Sequence, residues 1–182
     1  MIKMLQITIP DQEFWDEAKE EFLYVKSRTL CLEHSLVSIS KWESKWKKPF
    51  IRREPMTIEE SIDYIKCMTI TQNVPDDYYN YIPQEVVNKV NAYIEDDMTA
   101  TTFNEEKGKG NREVITSELI YYWMVAYQIP FECQKWHLNR LLTLIRICSI
   151  KNSPEKKMGR NELRAQNRAL NAARRSRMGS RG

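Results

Sequence analysis

The sequence predicts an α+β fold: a mainly helical core, a small N-terminal antiparallel sheet and a basic C-terminal helical or disordered extension. Three observations predict it. Apolar residues alternate with a period of two before residue 35 and recur at helical spacing after it. Helix-start signatures stand at Ser35 and at the "TIEE" of residues 57–60. Charge is divided unevenly: residues 153–182 hold nine basic residues against two acids, while residues 1–152 hold 19 against 23. A globular domain over 1–152 and an Arg-rich extension over 153–182 follow from that division.

The elements follow in order along the chain. "KMLQITI" puts Leu5, Ile7 and Ile9 on one face and Met4, Gln6 and Thr8 on the other, which argues a strand ended by Pro10 and Asp11. "EEFLYVKSRTLCLEH" is rich in strand formers, with Leu30, Leu32 and His34 alternating against Thr29, Cys31 and Glu33. The two strands are expected to pair antiparallel, with "DQEFWDEAKE" between them as a long hairpin loop or a turn of helix. Ser35 can cap a helix to about Lys47, with Leu36, Ile39, Trp42 and Trp46 on one face and Pro49 as its stop.

Thr57 and Glu60 form a capping box, and Ile58, Ile62 and Ile65 continue as a stripe. Pro83 opens a helix whose Val86, Val90, Tyr93 and Ile94 share a face. Residues 96–113 have no period and read as an exposed loop. Residues 117–128 are apolar nearly all round, which predicts a central buried helix. After Pro130, residues 131–151 read as the longest helix. Lys135, Asn139, Thr143 and Arg146 lie on one side of it, and Trp136, Leu138, Leu141, Leu142, Leu144, Ile145 and Cys148 cover the rest.

Several function classes find no support. All five glycines lie at or beyond Gly108, and the isolated "GKG" at 108–110 lacks the strand and the Ser or Thr that a phosphate-binding loop requires. The four cysteines are scattered without a C-x-x-C and read as reduced thiols of a cytosolic protein. The N-terminus shows no signal-peptide pattern. The longest apolar run, "LIYYWMVAY", is far short of the roughly 20 residues a membrane span needs. Cys133 and His137 are spaced i, i+4, which supplies two metal ligands where a structural zinc needs four. His137 is therefore expected at the edge of the core, with no metal and no cofactor. Nothing marks a strained nucleophile or a site-forming acid pair, so the chain is read as non-catalytic. The tryptophans of "SKWESKWKKPF" share the stripe of Leu36 and Ile39, which favours a buried tryptophan face with solvated lysines over base stacking.

The tail is the sharpest feature. Arg160, Arg164 and Arg168 recur every fourth residue, Arg174, Arg175 and Arg177 follow, and Ala165, Ala169, Ala172 and Ala173 favour helix. Leu163 and Leu170, seven apart, form a thin apolar stripe. Such a segment orders on a partner, and these six arginines with Leu163 and Leu170 are the candidate partner-binding residues. Nucleic acid would take the arginines on phosphate; an acidic or amphipathic protein segment would take the arginines and leucines together. A solubilising terminus is the remaining reading.

"EFWDEAKEEFLYVKSRTLCLEHSLVSISKWESKWKKPFI", "DYIKCMT", "MTATTFN", "EVITSELIYYWMVAYQIPFECQKWHLNRLLTLIRICSIKN" and "NAARRSRMGSRG" resemble a family of small proteins from the tail gene module of long-tailed phages and prophages. The resemblance covers nearly the whole chain and includes no catalytic motif. It implies a tail assembly chaperone in the host cytoplasm that binds the tape measure protein and engages the major tail protein. A structural subunit of the neck or tail, retained in the virion, is the alternative within the same module; a nucleic-acid-binding accessory protein is the alternative outside it. A homo-oligomer is compatible with each.

Overall fold

Strand β1 (Leu5–Ile9) pairs antiparallel with β4 (Arg28–Leu32), and β2 (Gln12–Asp16) pairs antiparallel with β3 (Glu21–Val25). These elements belong to a computed structural model that describes residues 4–17, 20–52, 54–103, 114–153 and 160–179. The loop motif at Gly108 and Gly110 lies outside the described residues. The chain divides into two units, Met1–Ser149 and Ile150–Gly182.

The two strand pairs share one register. Leu5 faces Leu32 and Ile9 faces Arg28; beyond the interruption Gln12 faces Val25 and Asp16 faces Glu21. Pro10, which has no N–H to give to a ladder, breaks the pairing, and the Ser27 N–H donates to Asp11 Oδ1 at 2.6 Å across the break. The chain thus makes one long hairpin in two segments. "QEFWD" was expected as loop or helix and is strand β2. Its alternation is real, but its Trp15 face turns to solvent, so apolar content did not mark an inner face.

The inner segment forms one wall of the core: Ile7, Ile9, Leu30 and Leu32 are buried. Helix α1 (Leu36–Trp46) begins at Ser35, whose side chain accepts from the Ser38 N–H while Ser38 reaches back, and it ends at Lys47 in a left-handed conformation. Leu36, Ile39 and Trp42 are buried, and Trp46 is half-buried. Helix α2 (Ile58–Met68) starts with the expected Thr57–Glu60 capping box. Its buried side is Tyr64, Ile65 and Met68. Ile58, expected in the stripe, is 80% exposed, because the buried face of the helix runs instead through Glu60, Tyr64 and Met68. A 3-10 helix, Asp76–Tyr81, packs against α2, and α3 (Gln84–Glu95) starts after Pro83 and packs on β1 through Val86, Val90 and Tyr93.

Helix α4 (Ser117–Ala126) departs from expectation. Ile120 and Met124 are buried, yet Tyr122 and Val125 are 65% and 62% exposed. It packs chiefly on α1, and one neighbouring helix can cover only one face. The segment after Pro130 also departs: Phe131–Lys135 is a 3-10 helix, and α5 (Leu138–Asn152) starts seven residues later than expected. His137 is drawn out of any helix by a bridge to Ser35, and the Leu138 N–H donates to His34 O at 2.9 Å. Helix α6 (Arg160–Met178), at 19 residues against 15 for α5, is the longest described. Leu138, Leu141 and Ile145 of α5 complete the core.

One buried carboxylate ties three elements together. Glu43 of α1 accepts from the Phe50 N–H and from the Ser117 N–H at the start of α4, both at 2.7 Å. Glu43→Ala orphans both donors, and the expected loss is about 3 kcal/mol of unfolding free energy, read from urea denaturation. Glu43→Gln keeps one neutral acceptor and is expected to lose less.

Candidate functional site

The described part of the body holds two polar clusters, and both hold the fold together. In the first, Glu60 accepts from Lys48 Nζ at 2.7 Å, from the Thr57 N–H at 3.0 Å and from the Arg52 guanidinium. Lys48, then the Thr57 N–H and Arg52, hold its carboxyl down to about 2. Lys45 pairs with Asp63, and Trp46 Nε1 donates to Asp63 Oδ2 at 2.8 Å. Trp42 Nε1 donates to Glu60 O at 3.0 Å, and Arg52 sits 5.7 Å from the Trp42 ring centroid. The tryptophan face is buried as expected; Lys45 and Lys48 also fasten α1 and its following loop to α2.

The second cluster is a histidine pair. His34 Nδ1 shares a 2.6 Å hydrogen bond with the Tyr64 hydroxyl, which lies 3.3 Å from Ser38 Oγ. The His34 and His137 rings stand 4.8 Å apart, and His137 Nε2 shares a 2.8 Å hydrogen bond with Tyr93 O. Burial first, and His137 second, lowers His34 to about 3, so it is neutral. Burial raises the Tyr64 phenol, which stays protonated. His137 was expected at the core's edge; it is 5% exposed, because its backbone bridges Ser35 inside the body. Cys133 lies in the 3-10 helix and His137 beyond it, so the two do not share a helical turn. Among the described residues no three His, Cys, Asp or Glu side chains gather to hold a metal ion.

The C-terminal unit is built differently. Helix α6 runs from Arg160 to Met178, and alanine-rich, straight-chain composition favours helix there. Arg164, Arg168, Arg174, Arg175, Arg177 and Leu170 are all exposed. Arg160 and Leu163 lie on the same helix, one turn before Arg164 and two turns before Leu170, and their side chains fall outside the described ones. At 3.6 residues per turn, Arg164, Arg168 and Arg175 fall within roughly 40° of arc and span about 17 Å along the axis. Arg174 and Arg177 fall within roughly 40° on either side of Leu170. The helix therefore presents a cationic row on one side and, roughly 120–160° around its axis, a leucine flanked by the guanidinium groups of Arg174 and Arg177. The row can hold carboxylates or phosphates bidentately, and the second face can cover a small apolar side chain between charges.

Sequence reading missed a second exposed surface. On the outer face of the β2–β3 hairpin lie Trp15, Phe22 and Tyr24, 52%, 68% and 58% exposed. The sequence signal was the aromatic content of "EFW" and "FLY", hidden by the acids around it. Among the described residues no helix is long and apolar enough to cross a membrane. No family model, curated protein or solved structure matches this chain.

Proposed function

We propose that the protein is a non-catalytic tail assembly chaperone of a long-tailed phage or prophage, holding the tape measure protein through α6 before the major tail protein encloses it. The observation that carries this reading is the exposed arginine row of α6, with Leu170 between Arg174 and Arg177 on a separate face of the same helix, together with the resemblance described above. A long amphipathic helix awaiting assembly offers both chemistries that α6 matches: a charged flank and an apolar stripe.

Co-expression tests it. A tape measure fragment is expected to stay soluble with the wild-type protein and to precipitate beside Arg164→Glu/Arg168→Glu/Arg175→Glu. A fragment kept equally soluble by that variant contradicts the reading.

The near absence of acids on α6, where Glu162 is the one carboxylate among six arginines, supports a second reading as a nucleic-acid-binding accessory protein. A three-arginine row engaging three phosphates of duplex DNA is expected to give a slope of log K against log salt of about −3. A tail or neck subunit, the third reading, requires the chain in purified virions at fixed copy number.

A further inference from the structure

The hairpin face carries a charge as well as an aromatic surface. Trp15 and Phe22 are cross-strand partners whose ring centroids stand 5.0 Å apart, edge to face. Glu13 and Tyr24 are the next pair on the same face. Beside them, Glu13, Glu17 and Glu20 are exposed, and Lys19 is the one basic residue between Asp11 and Glu21 in the sequence. The ion pairs found among the described residues lie elsewhere, on α1, α2 and their neighbours. An exposed aromatic patch of this kind marks an interaction surface. Its acids repel phosphate, which argues against nucleic acid and anionic lipid and favours a cationic occupant. Guanidinium groups suit it doubly, since they pair with carboxylates and stack on aromatic faces.

We propose that the outer face of the β2–β3 hairpin binds helix α6 of a second copy of this chain. The charges are opposite, and the dimensions agree. Glu13 and Glu17, two residues to either side of Trp15, stand about 13 Å apart, and Leu170 to Arg177 spans about 10 Å along the axis of α6. Arg174 and Arg177, which share the face of Leu170, meet Glu13 and Glu17, while Leu170 lies against the Trp15–Phe22 pair. Every copy carries both surfaces, so the cationic occupant is always present at the concentration of the protein itself. The contact is independent of the tape measure reading, because it is measured on the protein alone.

Sedimentation equilibrium of the full chain tests it, with two variants and their mixture. The wild-type protein is expected to self-associate at low salt, and raising salt from 50 to 500 mM is expected to weaken association by roughly tenfold. Glu13→Lys/Glu17→Lys alone is expected to stay monomeric, as is Arg174→Glu/Arg177→Glu alone. Mixing the two restores a complementary pair of surfaces, and a one-to-one complex is expected. Trp15→Ser/Phe22→Ser, which leaves all charges in place, is expected to weaken wild-type association without moving the melting temperature. A wild-type protein monomeric at all concentrations, association that survives either charge reversal, or a mixture that stays monomeric overturns the proposal.

Discussion

Trp42→Ala is expected to bring the body close to unfolding. Trp42 is fully buried, stacks against Trp46 with ring centroids 6.1 Å apart, and meets Phe50 edge to face at 5.5 Å. Its indole N–H holds Glu60 O, and Arg52 lies over its ring. Truncation removes the largest buried side chain, leaves a cavity and strips Arg52 of its apolar cover. The expected loss is about 4 kcal/mol, a large fraction of the 5–15 kcal/mol typical of a domain. Guanidinium denaturation reads it directly. A loss under about 1 kcal/mol would mean that α1 and α2 are held by their ion pairs and caps instead of by this ring.

Acid is expected to loosen the same region through His34. Its folded-state value lies near 3, below the ordinary 6.5, because burial and His137 disfavour the charged ring. The unfolded chain therefore takes up a proton near pH 6.5 that the folded chain refuses until about pH 3. Stability from this group is fully present above pH 6.5 and falls as pH drops toward 3, by about 4 kcal/mol in total. Glu60 acts in the same direction but lower: its depressed carboxyl stabilises above about 4.5 and loses that contribution toward pH 2. The interval between pH 6.5 and 4.5 separates His34 from Glu60. Denaturation midpoints there are expected to fall by the equivalent of about 1.4 kcal/mol per pH unit. His34→Asn is expected to flatten that slope at a lower overall stability. A midpoint that does not change between pH 6.5 and 4.5 contradicts a buried, neutral His34.

Local chemistry made much of this fold legible in sequence, and neighbours made the rest illegible. The Ser35 and Thr57 caps depend on a hydroxyl three residues from the N–H it accepts, so sequence alone located both helix starts. The alternation at Leu5, Ile7 and Ile9 likewise named an inner sheet face. β2 was hidden because its aromatic residues point outward, where burial logic expects polar ones. α4 was misjudged because apolar composition does not tell how many neighbours a helix has; Tyr122 and Val125 are exposed. The late start of α5 depends on a Ser35–His137 bridge between residues 102 positions apart, which no local window contains. At the candidate site, Arg164 and Arg168 stand exposed on one side of α6 at their four-residue spacing, and Arg175 joins them two turns further on, since helical periodicity alone sets the faces of such a segment. The hairpin surface was not legible, because strand pairing across the turn brings Trp15 to Phe22.

Two titrations of a tape measure fragment, one into the full chain and one into a chain ending at residue 152, test recognition through α6 most directly. Saturable, salt-sensitive binding is expected in the first and none in the second, with both bodies melting at the same temperature. Equal affinity in the two titrations would contradict this expectation and move partner recognition from the arginine helix to the body.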